Sequence, residues 1–597
     1  MQNAESVLNV IRDRGSRGLP LERLYRQLFN PGLYLVAYGR LYKNQGAMTR
    51  GTTTETADGM SMAKIDRIIA QLRAERYRWT PVRRVEIPKA NGRTRPLGIP
   101  TWSDKLLQEA MRLLLECFYE PRFSDSSHGF RPGHGCHTAL LDVTRHGKGA
   151  KWFIEGDIKG CFDNIDHDIL LSILGENIHD NRFLRLVSGL LKAGYCQWWR
   201  YHPSYSGTPQ GGVISPLLAN IYLDRLDQFV EEKLMPAYTK GEHRRRNPAW
   251  NQATCKVQYY RRLGRTAEAR RWDKARRQVP SCDPNDPEYR RLHYVRYADD
   301  FLLSFAGPKR EAEEVKDQLR QFLAETLGLE LSEDKTLITH ATTGAARFLG
   351  YEVHSQHCDT KLDRNKVRSV NGTLALRVPL KVIDAACSGY MKQGKPRNRP
   401  ELSGDSDFGI VLQYQWRYAG LVNYYALAQN IGSFVRLHWV MESSLLRTLA
   451  DKHRSSVGKM WRKYKSTVQT DHGPRRCVAV TQHRPGKKPL VARFGGIPLR
   501  RKKAAILTDQ VPIRRPLHTE LLQRFLADKC EVCGSREHVE VHHVRKLADL
   551  TVKGRKERPD WAKIMIARRR TTLVLCNACH RAVHAGRPLP QAVEPIT

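Results

Sequence analysis

Hydrophobic positions first recur at helical spacing where Ile65, Ile68, Ile69 and Leu72 follow a Thr/Gly-rich stretch from Gly51 to Gly59, with Ser61 placed to cap the helix. From about Pro81 the pattern changes to short β-like runs bounded by Pro and Gly, followed by helices. Two later runs read as buried strands leading to carboxylates: KWFIEGDIKGCFDNID around Asp157, and YVRYADDFLLSF around Asp299 and Asp300. In the second, apolar and aromatic residues flank Ala298, Asp299 and Asp300, which predicts a hairpin whose tight turn exposes the two acids. From about Leu374 to Thr470 the chain reads as several helices, one of them carrying Leu445, Leu446 and Leu449.

The 597 residues exceed one hydrophobic core, and domains of roughly 100 to 200 residues imply about three to five folded units. Charge changes the picture most. Against 61 Asp and Glu stand 100 Lys and Arg, a formal charge of +39, for which a long polyanion is the natural partner. The first residues, MQNAESVLNVIRDRG, do not read as a secretory signal, and no apolar run approaches a membrane span, so a cytoplasmic setting without a membrane partner is expected. Of 13 cysteines four form two CxxC pairs near the C-terminus, which fits one metal site in a reduced compartment and not a disulfide framework.

Basic residues concentrate in two places. Between about Glu242 and Arg291 an insertion carries Arg244, Arg245, Arg246, Arg270, Arg271, Arg276 and Arg277 beside Trp250, Tyr259, Tyr260 and Trp272, aromatic faces able to stack on RNA bases; a solvated surface loop is the alternative. From Asp471 to Pro516 many cations, few acids and several Pro and Gly predict a basic connecting segment.

Adjacent carboxylates at a turn, next to a third on a neighbouring strand, repel one another unless cations lie between them. Two Mg²⁺ ions would relieve that repulsion and supply phosphoryl-transfer chemistry, with Asp157 and Asp299 as shared ligands and Asp300 beside them. An Asp-Asp pair alone is usually only a turn. Here it belongs to an ordered series: VRRVEIPKANGRTRPLGIPTWSDKLLQEA, HGFRPGHGCHTAL, the Asp157 segment, GTPQGGVISPLLANIYLD, YADD, LELSEDKTLITH and RFLGYEV. The series resembles the reverse transcriptases encoded by group II introns.

That resemblance implies a right-hand polymerase with fingers, palm and thumb, acting on deoxynucleoside triphosphates. Lys89 and Arg95 would clamp the triphosphate; Phe162, five residues after Asp157, would pack beneath the sugar and exclude a 2′-hydroxyl. Gly207, Gln210, Gly211 and Gly212 would let template and nucleotide approach the backbone, and Lys335 would protonate or neutralise the departing pyrophosphate. The helical region, with Tyr414, Trp416, Tyr418, Tyr424 and Tyr425 and the basic run Lys452, His453, Arg454, Lys459, Arg462 and Lys463, corresponds to the part that clamps intron RNA and promotes splicing, the maturase activity.

Near the C-terminus Cys530, Cys533, Cys576 and Cys579 have the spacing of two knuckles closing one structural Cys₄ zinc site. His580 and His584, four residues apart, would share one helix face and could hold a second metal. With EVHHVRKL these residues resemble the HNH nucleases, whose ββα-metal fold cuts DNA with one divalent ion. The resemblance makes His543 the general base and places His542, His580 and His584 at or near the ion. The family's central Asn has no clear equivalent, because Thr571 and Thr572 occupy that region and Asn577 lies inside the second knuckle.

The expectation is therefore an α+β multidomain chain: an N-terminal helical extension (1–80), fingers and palm with an antiparallel sheet (81–360), helical thumb and maturase region (361–470), basic DNA-binding linker (471–525) and zinc-bearing HNH module (526–590). It would act as a ribonucleoprotein with its own intron RNA, and would nick double-stranded target DNA to prime reverse transcription. Alternatives are a splicing factor that only binds RNA, or another retroelement's reverse transcriptase with a non-cleaving zinc finger.

Overall fold

The computed structural model describes residues 3–44, 46–88, 92, 94–198, 200–207, 211–361, 364, 368–484, 486–507, 519–550, 559–587 and 589. At its centre lies a four-stranded antiparallel sheet in the order Arg291–Tyr297, Asp300–Ala306, Trp152–Asp157, Ile338–His340. The middle strands are apolar on both faces because helices cover one side and a second core the other. Gly156 is dictated by packing: it pairs with Phe301, and a Cβ there would lie 2.1 Å from that ring.

The helix Trp102–Tyr119 belongs to the core on one side of this sheet and buries nearly its whole circumference, as expected of a helix inside a large core. Its one guanidinium in that stretch, Arg112, is paired with Glu109 and Glu116 at 2.7 and 2.5 Å, which is what permits charge at such depth. A second four-stranded sheet, order Thr94–Ile99, Val82–Pro88, Tyr195–Gln197, Arg200–His202, projects beside it.

The N-terminal helices Ala4–Ser16, Pro31–Leu41 and Met62–Arg73 pack on Trp102–Tyr119 and share one continuous core with the central sheet, so residues 3–80 are an integral layer and not an appended extension. Ile65, Ile68, Ile69 and Leu72 are buried as the spacing predicts. Ser61 stands at the N-cap position in extended conformation but makes no capping hydrogen bond.

The basic insertion is a helical hairpin, Pro248–Arg262 and Thr266–Gln278. Part of its aromatic surface is already engaged: Arg246 and Arg276 lie 5.1 and 5.7 Å from the Trp250 ring centroid. Tyr259 is exposed.

Beyond the small sheet Ala346–Phe348, Tyr351–Ser355, Leu374–Arg377 come four helices, Leu380–Ser388, Asp407–Tyr424, Phe434–Lys452 and Val457–Tyr464. Where the composition suggested a connecting segment, an antiparallel sheet forms instead: Lys465–Thr470, Gly473–Arg484 and Lys487–Gly495. Its apolar positions Val478, Ala492 and Phe494 complete the core of the helices, while the charged positions face outward. The alternation was hidden by the high cationic content, which is the outward half of a period-2 pattern.

Candidate active sites

The strand Arg291–Tyr297 turns into Asp300–Ala306 through Ala298, at φ +55°, and Asp299. Register places Asp300 opposite Asp157, the last residue of Trp152–Asp157, close enough for Asp157 to raise the Asp300 carboxyl. Burial raises Asp299 above the usual carboxylate range, with Asp157 adding repulsion. Burial, the neighbouring Asp157 carboxyl and the charge of Asp299 push Asp300 up to about 7. Three crowded acids in a half-buried turn are therefore electrostatically short of cations, and Lys335 partly supplies one, its Nζ donating to Asp157 Oδ2 at 2.7 Å.

The turn rests on a buried guanidinium that sequence reading passed over. Arg296 has no exposed side-chain surface, and all five of its N–H bonds are used. Nε and one terminal nitrogen clasp Asp227, the same nitrogen reaches Ser127 Oγ at 2.8 Å, and the other donates to Asn220 Oδ1 at 3.2 Å and to the Ala298 carbonyl at 3.0 Å. The motif residue Gly129 closes the underside: a Cβ there would stand 2.5 Å from the Ala298 nitrogen. Asn220 Nδ2 holds the Gly129 carbonyl at 2.8 Å.

Around this turn, half-buried Phe162 meets Phe130 edge-on at 6.4 Å. Arg95 lies in the hairpin opposite Ile87, near enough for its charge to lower the Asp299 carboxyl. Gly207 and Gly211 have positive φ, and a Cβ on Gly211 would lie 2.6 Å from the Gly98 carbonyl, which ties this loop to the second sheet. Lys89 and Gln210 lie outside the described residues.

In the helical region, Tyr414, Tyr418 and Tyr425 are core and Trp416 is exposed. Lys452 and His453 are bound to Asp407 at 2.7 and 2.8 Å, so they belong to a structural ion cluster; Lys459, Arg462 and Lys463 face solvent.

The C-terminal module pairs Val539–His543 with Thr572–Cys576 and continues into the helix Asn577–Ala585. The four thiols of Cys530, Cys533, Cys576 and Cys579 lie within 4.8 Å of one another, with Cys533 Sγ and Cys576 Sγ 3.6 Å apart. That is close to the ~3.8 Å edge of a tetrahedron with Zn–S bonds of about 2.3 Å. Burial and neighbouring sulfurs raise the Cys579 thiol far above its ordinary value, a penalty that a bound cation would remove.

A second cluster gathers His542, His580 and His584, joined by Asp58 from the N-terminal layer, all ligand atoms again within 4.8 Å. Nothing local in the sequence around Asp58 announced this, because its partners His542, His580 and His584 lie 484 to 526 residues further along the chain. Residues 58–60 add to the edge of Val539–His543, with Gly59 N to Val541 O at 3.0 Å and Val541 N to Met60 O at 2.9 Å. Glu540 accepts from His580 Nδ1 at 2.7 Å and is itself held by Asn577 Nδ2 at 2.9 Å. Asn577, set aside on sequence grounds, thus buttresses this carboxylate.

The strand's alternation sends His543 the opposite way. It is buried, with Nε2 2.7 Å from the Tyr38 hydroxyl, and burial pushes its imidazole down to about 4. The side chain expected to act as water-activating base thus faces protein and not the His/Asp cluster in this docked arrangement. Thr572 stands opposite His543 in register and bonds Arg524 at 3.0 Å.

Comparison with known proteins matches these regions to three families: reverse transcriptase (RNA-dependent DNA polymerase) over residues 87–353, type II intron maturase over 373–474, and the AI2M/AI1M-like HNH endonuclease over 530–580. The group II intron-encoded protein LtrA of Lactococcus lactis subsp. cremoris is 39% identical over 585 residues, spanning 94% of this chain and 95% of that one. The chain belongs to the group II intron-encoded proteins. Fungal relatives include the uncharacterized 91 kDa protein in the cob intron of Schizosaccharomyces pombe, 33% identical over 98% of this chain and 73% of its own length. A putative COX1/OXI3 intron 1 protein of Saccharomyces cerevisiae is 32% identical over 94% and 68%.

As a group II intron-encoded protein the chain is a reverse transcriptase and maturase with an HNH endonuclease domain, and its role is retrohoming. The Cys₄ cluster is compatible with zinc, and the polymerase and nuclease domains imply divalent metals. Among the described residues no helix is long and apolar enough to cross a membrane.

Proposed function

We propose that the central sheet is the palm of a right-hand polymerase, with the Val82–Ile99 hairpin in the fingers and the helices after Leu380 forming the thumb, and that this polymerase copies the chain's own intron RNA from a nick made by the C-terminal module. The convergence of Asp157, Asp299 and Asp300 at one end of the sheet carries the reading. Asp157 and Asp299 would hold two Mg²⁺ ions, with Asp300 beside them; when bound, the ions supply the charge that activates the primer 3′-hydroxyl and stabilises the leaving pyrophosphate. Lys335 keeps a cation on Asp157 and is positioned to pass that charge to pyrophosphate. Arg95 clamps the triphosphate, and Gly211 lines the nucleotide's approach.

Phe162 serves as the sugar gate. The ring is only partly buried and meets Phe130 edge-on, so a 2′-hydroxyl placed over it would meet a ring. Phe162→Ala should raise ribonucleotide incorporation by about one to two orders of magnitude relative to deoxynucleotide, in line with about 1–3 kcal/mol for a steric contact of this size. Single-nucleotide extension with paired rNTP and dNTP series measures it, and an unchanged ratio removes Phe162 from that role.

Intron RNA would lie on the basic face. A cavity of 1280 Å³ between the insertion and the back of the palm is lined by Lys148, Arg244, Arg246 and Lys309, and the solvent-facing Lys459, Arg462 and Lys463 extend cationic surface along the thumb. Zn²⁺ held by Cys530, Cys533, Cys576 and Cys579 would fix the fold of the nuclease module, and His542, His580 and His584 would hold its divalent ion against double-stranded target DNA. The working setting is a cytoplasmic, nucleoid or organellar ribonucleoprotein.

The test is sequencing of RNA that stays with the protein through high salt, which strips nonspecific phosphate contacts. One dominant structured RNA containing the protein's own gene is expected. A heterogeneous mixture would leave a general reverse transcriptase without an intron partner.

A further inference from the structure

We infer that Asp58 is a fourth metal ligand that closes the nuclease ion's coordination sphere while the module is docked on the N-terminal layer, so that the endonuclease is held latent until Asp58 withdraws. The inference rests on the reading of His542, His580 and His584 as the nuclease's metal residues and adds to it a ligand from another part of the chain.

The geometry is that of a ligand set. Asp58 Oδ1 lies 3.1 Å from His542 Nδ1 and 3.2 Å from His580 Nε2, and Oδ2 lies 2.7 Å from His584 Nε2. His580 Nε2 and His584 Nε2 point at each other across 3.1 Å. A buried ring nitrogen of His580 and one of solvent-facing His584, close to one another and to one carboxylate, are what a common cation between them would organise.

His542 strengthens the case. Neither of its ring nitrogens has a hydrogen-bond partner, although the residue is buried and Asp58 is 3.1 Å away, because the approach is off the line a hydrogen bond needs. A lone pair on Nδ1 directed at a metal accounts for one of these two nitrogens, the one that faces Asp58. Glu540 on His580 Nδ1 then has the place of the carboxylate that commonly fixes the tautomer of a metal-bound imidazole.

Three imidazoles and one carboxylate fill a tetrahedral site, and closed four-ligand sites are structural whereas catalytic sites keep a position open. Asp58 presents an anionic oxygen where a scissile phosphate would have to bind. The same docked surface holds His543 against Tyr38, and Met60, Tyr38, Leu522 and Val541 are buried in one core, so withdrawal of Asp58 requires the module to leave that surface. DNA phosphate is the competing ligand by its charge and oxygen donors.

The test uses the full-length chain with its Cys₄ site filled by zinc, titrated with Co²⁺ and followed by visible absorption. Wild type should give the strong d–d bands of a four-coordinate nitrogen/oxygen site, and Asp58→Asn the weak bands of a more hydrated site with at least about tenfold lower Co²⁺ affinity, the range for disrupting a ligand shell. Asn keeps an oxygen to accept from the His543 amide, which Asp58 does at 2.7 Å, and hydrogen exchange across 539–543 checks that docking persists.

Nicking of supercoiled DNA should rise severalfold in Asp58→Asn or Asp58→Ala. Identical cobalt spectra and affinities in wild type and Asp58→Asn, or nicking unchanged or lost, would overturn the proposal. If instead His584→Ala leaves the wild-type spectrum untouched, the metal assignment of the histidines fails first, and with it the role of Asp58.

Discussion

Asp299→Ala abolishes cDNA synthesis while leaving intron RNA binding within about twofold: this is the outcome expected from the polymerase turn. The substitution removes one of the converging carboxylates and touches no basic contact. Losing a ligand for the ions that carry charge in the transition state forfeits several kcal/mol, on the order of 4, and a thousandfold in rate. RNA affinity is set by phosphate contacts made elsewhere, so its salt dependence should not change. Primer extension on a defined template and filter binding at two salt concentrations separate the two quantities, and retained extension would remove Asp299 from catalysis.

The same turn predicts a pH dependence. Asp300 is pushed up to about 7 by burial, Asp157 and Asp299, so without a divalent ion it is protonated below that pH and charged above it. Metal binding must displace that proton. The Mg²⁺ concentration for half-maximal extension should therefore rise as pH falls through 7 and level off above it. Because the acids titrate as an interacting set, the curve reports the group and not Asp300 alone.

Much of this was legible in the sequence for a physical reason: catalytic acids at strand ends are announced by the apolar runs that bury the strands. The hairpin at Asp299, the opposing Asp157 and the Cys₄ spacing all follow from local periodicity or spacing. What was not legible depends on distance along the chain. Asp58 acquires meaning only when residues 58–60 add to a strand that begins at Val539, and the Tyr38 hydroxyl that meets His543 comes from 505 residues away. The strands between Lys465 and Gly495 were concealed by the cations on their outer face. Arg296 was passed over because a single Arg in an apolar strand does not disclose that Asp227, Asn220 and Ser127 converge on it.

That convergence makes Arg296 and Asp227 the pair whose separation should cost most in stability. Both side chains are wholly buried, and the ionised pair is bidentate. Asp227→Ala strands a guanidinium with no exit to water and also removes the acceptor of the Tyr294 hydroxyl at 2.8 Å. Breaking a buried pair from one side costs about 3–5 kcal/mol, enough to unfold the palm near physiological temperature. Arg296→Met likewise leaves one buried partner, the Asp227 carboxylate, but a carboxylate can be neutralised by a proton and still accept from the Tyr294 hydroxyl, whereas a guanidinium cannot lose its charge, so this variant should destabilise by less than Asp227→Ala in a urea melt.

Catalysis should rank the two variants the other way under conditions where both are folded. Arg296 reaches past Asp227 to the Ala298 carbonyl, so Met leaves the turn that carries Asp299 without its tether, whereas Asp227→Ala keeps the guanidinium donor in place. At low temperature Arg296→Met is therefore expected to lose at least about tenfold in kcat with little change in KM for the nucleotide, the signature of misplaced reacting groups. Arg296→Lys should not rescue it, since one ammonium cannot span Asp227, Asn220, Ser127 and the Ala298 carbonyl together. If Arg296→Met proves the less stable variant yet retains wild-type kcat, the guanidinium serves packing alone and positions nothing.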